Sequence, residues 1–99
     1  MAEYRASEVE RIEMEVGETC ALDSLHQAVV PPYVMIVPFV ELPDGIELVR
    51  RDSLGEEGVH GAIFTLRATK PGEGTLRVGF RDLRDDKVVK EKSIQVLVR

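Results

Sequence analysis

Polar and apolar residues alternate with a period of two over most of this chain. Phe64, Leu66 and Ala68 take turns with Thr65, Arg67 and Thr69, and Leu76, Val78 and Phe80 take turns with Arg77, Gly79 and Arg81. Successive side chains of an extended strand point to opposite faces, so this spacing predicts strands with one buried and one wet face. Lys70-Pro-Gly-Glu-Gly74 stands between the two runs and carries the residues that end one strand and begin the next. The corner predicts that the two strands are neighbours, with Arg67, Arg77 and Arg81 on a shared outer face. The ordinary partners of such arginines are Glu or Asp across the strands.

The same pattern recurs on either side. Ile12, Met14 and Val16 alternate with Glu13 and Glu15, which predicts a strand over residues 11–16 after a lead-in of residues 1–8. A helix competes there, because Ser7 and Glu10 form a capping box and Val9, Ile12 and Val16 also fit helical spacing. Cys20 and Leu22 mark a strand over 19–23. Residues 25–32, ending in Pro31-Pro32, read as a loop. Residues 33–42 are almost wholly apolar, but Pro38 donates no ladder hydrogen bond and marks a bulge, an edge or a break. Pro43-Asp44-Gly45 is a turn, 46–49 a short strand, and 50–61 a charged, glycine-rich loop. After a charged turn at 82–86, a last strand over 87–99 puts Ile94, Val96 and Val98 inward and Gln95 outward. About seven short strands separated by turns predict an all-β fold, an immunoglobulin-like antiparallel β-sandwich filling one domain over residues 1–99.

Ninety-nine residues suffice for one core. No apolar run approaches the ~20 residues of a membrane-spanning helix, so no membrane insertion is expected. The opening Met-Ala-Glu-Tyr-Arg lacks the basic start and apolar stretch of a signal peptide. As written the chain reads as cytoplasmic, and an upstream leader would make it secreted or periplasmic. Seven acidic and two basic residues fall among the first thirty, while the remainder is balanced, so the net charge of −5 belongs to the N-terminal region. That balance, with no tryptophan and five aromatics, argues against nucleic acid as a partner.

Candidate chemistry is sparse. Cys20 is the only cysteine, so it forms no internal disulfide and reads as a small buried hydrophobe. His26 and His60 lie in expected loops without a patterned partner, and no nucleophile elbow, phosphate loop or zinc spacing occurs. Gly55 and Gly58 lack the Lys-Ser/Thr of a phosphate loop and precede a strand. Asp82, Asp85 and Asp86, like Asp52, Glu56 and Glu57, lack the spacing of a calcium loop and read as solvated turn charges. No catalytic residue, metal site or cofactor is expected. Tyr33 and Leu83 stand at loop boundaries, as buried anchors or as loop-tip contacts.

The order of loop, strand, turn and strand resembles the chagasin-like inhibitors of cysteine peptidases. The residues that carry the resemblance are Val16-Gly17-Glu18 after an alternating strand, Gly55, Gly58 and Gly61 with His60 in the place of a further glycine, and the Lys70–Gly74 corner. It extends from about Ile12 to Val98. The family's first loop reads Asn-Pro-Thr-Thr-Gly-Tyr, where this chain keeps only the aromatic Tyr33, after Pro32. Its third reads Arg-Pro-Trp or Arg-Pro-Phe, where this chain has Arg81-Asp82-Leu83. The resemblance implies an immunoglobulin-like sandwich and a non-catalytic module that plugs the cleft of a papain-like cysteine peptidase with three loops. Gly55, Gly58, His60, Gly61, Pro32, Tyr33, Arg81 and Leu83 are then its candidate partner-binding residues. The C-terminal half, from Ala68-Thr-Lys-Pro-Gly-Glu-Gly74 to Ile94-Gln-Val-Leu-Val98, also resembles bacterial immunoglobulin-like repeats. That likeness implies a structural or assembly domain that docks onto another chain or onto itself, its apolar 33–42 stretch needing a cover. Either reading leaves a monomer or a weak homo-oligomer.

Overall fold

A computed structural model describes residues 1–25, 27–28, 36–56 and 59–99. Among these residues the chain forms nine strands: β1 (Ala2–Arg5), β2 (Arg11–Met14), β3 (Thr19–Asp23), β4 (Gln27–Ala28), β5 (Ile36–Glu41), β6 (Ile46–Glu56), β7 (Val59–Ala68), β8 (Gly72–Asp82) and β9 (Lys87–Val98). They divide between two sheets. In the first, β7 is central, with β6 along one edge and β3 and then β4 along the other, and β1 lies outside β3. The second runs β2-β9-β8-β5. Pairing is antiparallel except at the N-terminus, where β1 runs parallel to β3 and β2 parallel to β9. The N-terminal segment thus ties both sheets.

The alternation has the consequence it predicts. Phe64, Leu66 and Ala68 of β7, Leu76, Val78 and Phe80 of β8, and Ile94, Val96 and Val98 of β9 are all buried between the sheets, while Gln95 is exposed. Burying such side chains supplies the main stabilisation, about 1.5–3 kcal/mol for each large aliphatic or aromatic residue. Cys20 lies in this core with its Sγ 3.9 Å from Met14 Sδ, and burial pushes its thiol pKa up to about 11, with a smaller push from the charge of Glu18. The turn at Pro43-Asp44-Gly45 forms as expected, Gly45 taking a φ of 90° that favours glycine. Pro38 sits on β5, the outer strand of its sheet, where a missing N–H costs least.

Of the two alternatives near residue 11 the strand forms, as β2, and the capping box at Ser7 and Glu10 starts no helix: residues 6–8 make a turn, and Ala6 is buried in the core. Three features differ from the sequence reading. The expected lead-in includes a strand, β1. The short strand expected at 46–49 runs on to Glu56, and β7 begins at Val59, so most of the expected loop at 50–61 is a long hairpin arm. Cross-strand pairing with β7 holds polar residues that have weak intrinsic strand preference. Finally, β7 and β8 are not neighbours. Both edges of β7 are already filled, so the Lys70–Gly74 corner carries the chain across to the other sheet. Arg67 therefore lies on the outer face of one sheet, and Arg77 and Arg81 on that of the other. Each still finds a carboxylate across the strands, Arg67 with Glu47 at 3.3 Å, Arg77 with Glu41 and with Glu91 at 3.6 Å, and Arg81 with Glu41 at 3.8 Å.

Candidate partner-binding end

Strand register gathers three connections at one end of the sandwich. Ala28, the last residue of β4, pairs with Val59, which also pairs with Glu56 at the tip of the β6–β7 hairpin. Ile36, the first residue of β5, pairs with Asp82 at the tip of the β8–β9 hairpin. Ala28 and Ile36 therefore stand each beside one of the two hairpin tips. Ser24 anchors the chain ahead of β4. Its backbone N–H donates to Ala62 O at 2.8 Å and its buried Oγ accepts from Ala62 N–H at 2.9 Å, so the end of β3 is tied to β7 just before the chain departs.

The candidate site residues separate on this frame. Gly55 lies within β6, paired with His60, and Gly61 is a buried residue of β7 paired with Leu54. These residues form the stem of a hairpin, not an open loop. Gly58, Pro32 and Tyr33 lie outside the described residues, as does His26. Arg81 and Leu83 fall at the β8–β9 tip, which is described throughout.

That tip is held by its own charges. Asp82 is buried, with 8% of its surface exposed, and its Oδ1 accepts from the backbone N–H of Arg84 at 3.0 Å and from its Nε at 3.1 Å. Oδ2 accepts from the same guanidinium at 2.7 Å. This fork, with the backbone donor, lowers the Asp82 pKa to about 2. Asp85 Oδ1 accepts from Lys87 N–H at 3.2 Å, and Asp86, at a φ of 55°, meets Arg81 at 3.6 Å. The three aspartates that might have suggested a cation site are thus engaged within the turn. Among the described residues no group of three or more His, Cys, Asp or Glu side chains could hold a metal ion.

Arg81 acts as a strut here. Its guanidinium lies 5.2 Å from the centre of the Phe39 ring, between Glu41 and Asp86, and its buried Nε has no hydrogen-bond partner among the described residues. Leu83 does the opposite: it is 51% exposed at the tip, so it is not a buried anchor. Two further residues were not foreseen. Val88 and Val89 are 42% and 51% exposed, because the β8–β9 register shifts at Phe80/Arg81 and leaves Val89 without an opposite residue. The signal for them was the valine doublet itself, which interrupts the alternation of β9.

A β-sandwich with three connections at one end is the architecture the chagasin-like resemblance implies, and the comparison with solved structures agrees. The chain matches the crystal structure of a cysteine protease inhibitor from Entamoeba histolytica with a TM-score of 0.73 and 13% identity, over 99% of this chain and 94% of that one. It matches the solution structure of amebosin with a TM-score of 0.72 and 14% identity, over 100% of this chain and 99% of that one. No protein-family model and no curated protein sequence matches it. The fold is therefore the chagasin-like, immunoglobulin-like sandwich, reached with few residues in common.

Proposed function

We propose that this chain is a non-catalytic binding module that obstructs the cleft of a papain-like cysteine peptidase with the end where the 29–35, 57–58 and 83–86 connections meet. One observation carries the reading: register sets Ala28, Glu56, Val59, Ile36 and Asp82, the described residues that flank these connections, at one end of a fold shared with a cysteine protease inhibitor. Obstruction requires no chemical step from the module. It requires a rigid wedge with apolar anchors, since a few buried contacts carry most of an interface's energy. The β8–β9 tip supplies rigidity through Asp82 and Arg84 and an apolar tip through Leu83. Pro32, Tyr33, Gly58 and His60 are the remaining proposed contacts, Gly55 and Gly61 belong to the hairpin stem, and Arg81 supports the β8–β9 tip from beneath.

The sheet edges favour this reading over docking by strand addition. Pro38 interrupts the donor row of β5. On β6, the register shift at Leu48/Arg50 bends the edge, and Arg51 is opposite inward-facing Phe64, its guanidinium 5.7 Å from the ring. A proline, an irregularity and an inward charge are the devices that keep edges from pairing. The test is to map backbone amide signals on adding a peptidase whose active-site thiol has been blocked reversibly. Perturbation should centre on residues 27–36, 55–61 and 81–89. Perturbation confined to the opposite end, around residues 15–18 and 69–72, would overturn the proposal.

A further inference from the structure

Resting on that reading, we propose that the hollow on the β3–β9 flank of the sandwich, lined by Arg5, Ser7, Asp23, Ser24, Leu25 and Lys90, receives the carboxylate of an acidic side chain on the peptidase surface beside the cleft.

The hollow follows from the strand pairing. β2 covers β9 only from Gln95 to Val98, so residues 87–93 of β9 have no strand on that side among the described residues. On the facing sheet β1 ends with Arg5 beside Asp23, and the chain turns at residues 6–8 before it crosses to β2. Between this crossing, the end of β3 and β9 lies a space of about 480 Å³ that opens to solvent.

Register places a lysine in it. Lys90 is opposite Phe80, which is buried between the sheets, and directly opposed residues share a face. Lys90 therefore lies on the inner face of β9, and it is nonetheless exposed. Lys92 occupies the same face opposite Val78 and is settled by Glu10 at 3.2 Å. Lys90 makes no ion pair among the described residues. Arg5 is nearly as available. Its ion pair with Glu8 spans 3.9 Å between side chains that are 71% and 70% exposed, and such a pair holds little.

Charge selects the occupant. Arg5 and Lys90 against Asp23 leave one net positive charge on the lining, which matches a singly charged carboxylate and disfavours a doubly charged phosphate. Ser7 adds an exposed hydroxyl, whereas the Ser24 hydroxyl already donates to Leu25 O at 2.8 Å. Leu25 gives the methylene stem of an acidic side chain an apolar wall.

Position points to the partner as the source of the acid. Leu25 leads within two residues into β4, which pairs with the tip of the β6–β7 hairpin. Lys90 follows Lys87, the first residue of β9, by three positions, about 10 Å along the strand. A free carboxylate meeting two solvated cations binds weakly. A docked partner delivers the same group with most of its ordering cost already met.

The experiment treats the complex with a water-soluble carbodiimide, which joins an amine to a carboxylate in contact with it. The chain is mixed with a papain-like peptidase whose active-site thiol is reversibly blocked, cross-linked and mapped by mass spectrometry. Dissociation constants are measured alongside for wild type, K90Q and K70Q. Lys70 pairs with Asp44 near the opposite end, so K70Q removes the same charge away from the hollow. Lys90 should be found joined to an Asp or Glu of the peptidase. K90Q should weaken binding about fivefold and lower its salt dependence, and K70Q should leave both as they are. Both variants should keep the wild-type unfolding temperature, since each alters an exposed side chain. A complex in which Lys90 is not joined to the peptidase, or in which K90Q binds within twofold of wild type, overturns this subsite and leaves the proposed function standing. A wild-type chain that does not bind at all overturns both.

Discussion

Asp82 and Arg84 face each other across the mouth of the β8–β9 turn, the guanidinium 2.7 Å from one carboxylate oxygen and the Arg84 N–H 3.0 Å from the other. Three donors on one partner keep the carboxylate ionised down to about pH 2, below its ordinary value of 3.8. A carboxylate whose pKa falls on folding stabilises the native state fully above its unfolded value and loses that contribution as pH falls through the folded one. Thermal unfolding of wild type and Asp82→Asn should therefore differ near neutrality, with wild type the more stable. The difference should shrink as pH is lowered from about 4 to about 2. A constant difference across that range would show that the carboxylate charge is not what holds the turn.

Gly79 is fixed by a close approach. A Cβ at this position would lie 1.9 Å from Lys90 O and 2.7 Å from Glu91 Cα, both backbone atoms of the adjacent strand. Relief would require opening the β8–β9 ladder beside its register shift. Gly79→Ala should cost at least about 2 kcal/mol of stability by denaturant unfolding, and it should broaden the amide signals of residues 87–90.

Much of this fold was legible because burial follows a period of two. The strand at Thr19–Asp23, the inward set Ile94, Val96 and Val98, and the turn before Ile46 all followed from local pattern. Partner choice did not follow, because alternation reports which face of a strand is buried and says nothing of its neighbour. That is why Arg67 was grouped with Arg77 and Arg81 although it belongs to the other sheet. Strand length failed at β6, where Arg50, Arg51, Asp52 and Ser53 are extended only because β7 pairs with them. At the candidate site Leu83 was visible from the turn. Val88 and Val89 were not, since a bulge shifts a strand's parity without a fixed residue signal.

Ser24 shows how a buried hydroxyl positions the departing chain. Its Oγ accepts from Ala62 N–H at 2.9 Å and donates to Leu25 O at 2.8 Å. Ser24→Ala leaves a buried donor and a buried acceptor short of a partner, and should cost about 1–3 kcal/mol in denaturant unfolding. Unchanged stability would mean that the β3 end is held by its backbone bond to Ala62 alone.

Arg81 can be dissected by shape. Exposed ion pairs such as those with Glu41 and Asp86 contribute little, whereas the stem and guanidinium cover Phe39. Arg81→Met keeps much of that cover and should cost less than about 1 kcal/mol, and Arg81→Ala should cost about 1–2 kcal/mol. Equal losses from the two variants would place the stabilisation in the charges instead.

The Cys20 thiol, with its pKa raised to about 11 by burial in the core, should be inert toward a disulfide reagent in the native protein at pH 8 and react fully in denaturant. Because that pKa rises on folding, the associated stabilisation is complete below about pH 9 and is lost as pH climbs towards 11. Rapid modification of the native chain would contradict this placement.

The most direct measurement is the turnover of a papain-like cysteine peptidase on a small fluorogenic substrate, titrated with this protein. Obstruction of the cleft predicts a dose-dependent loss of activity that is complete near one molecule per enzyme when both are well above the dissociation constant, with the module recovered uncleaved. Full peptidase activity at micromolar concentrations of the folded module would contradict it.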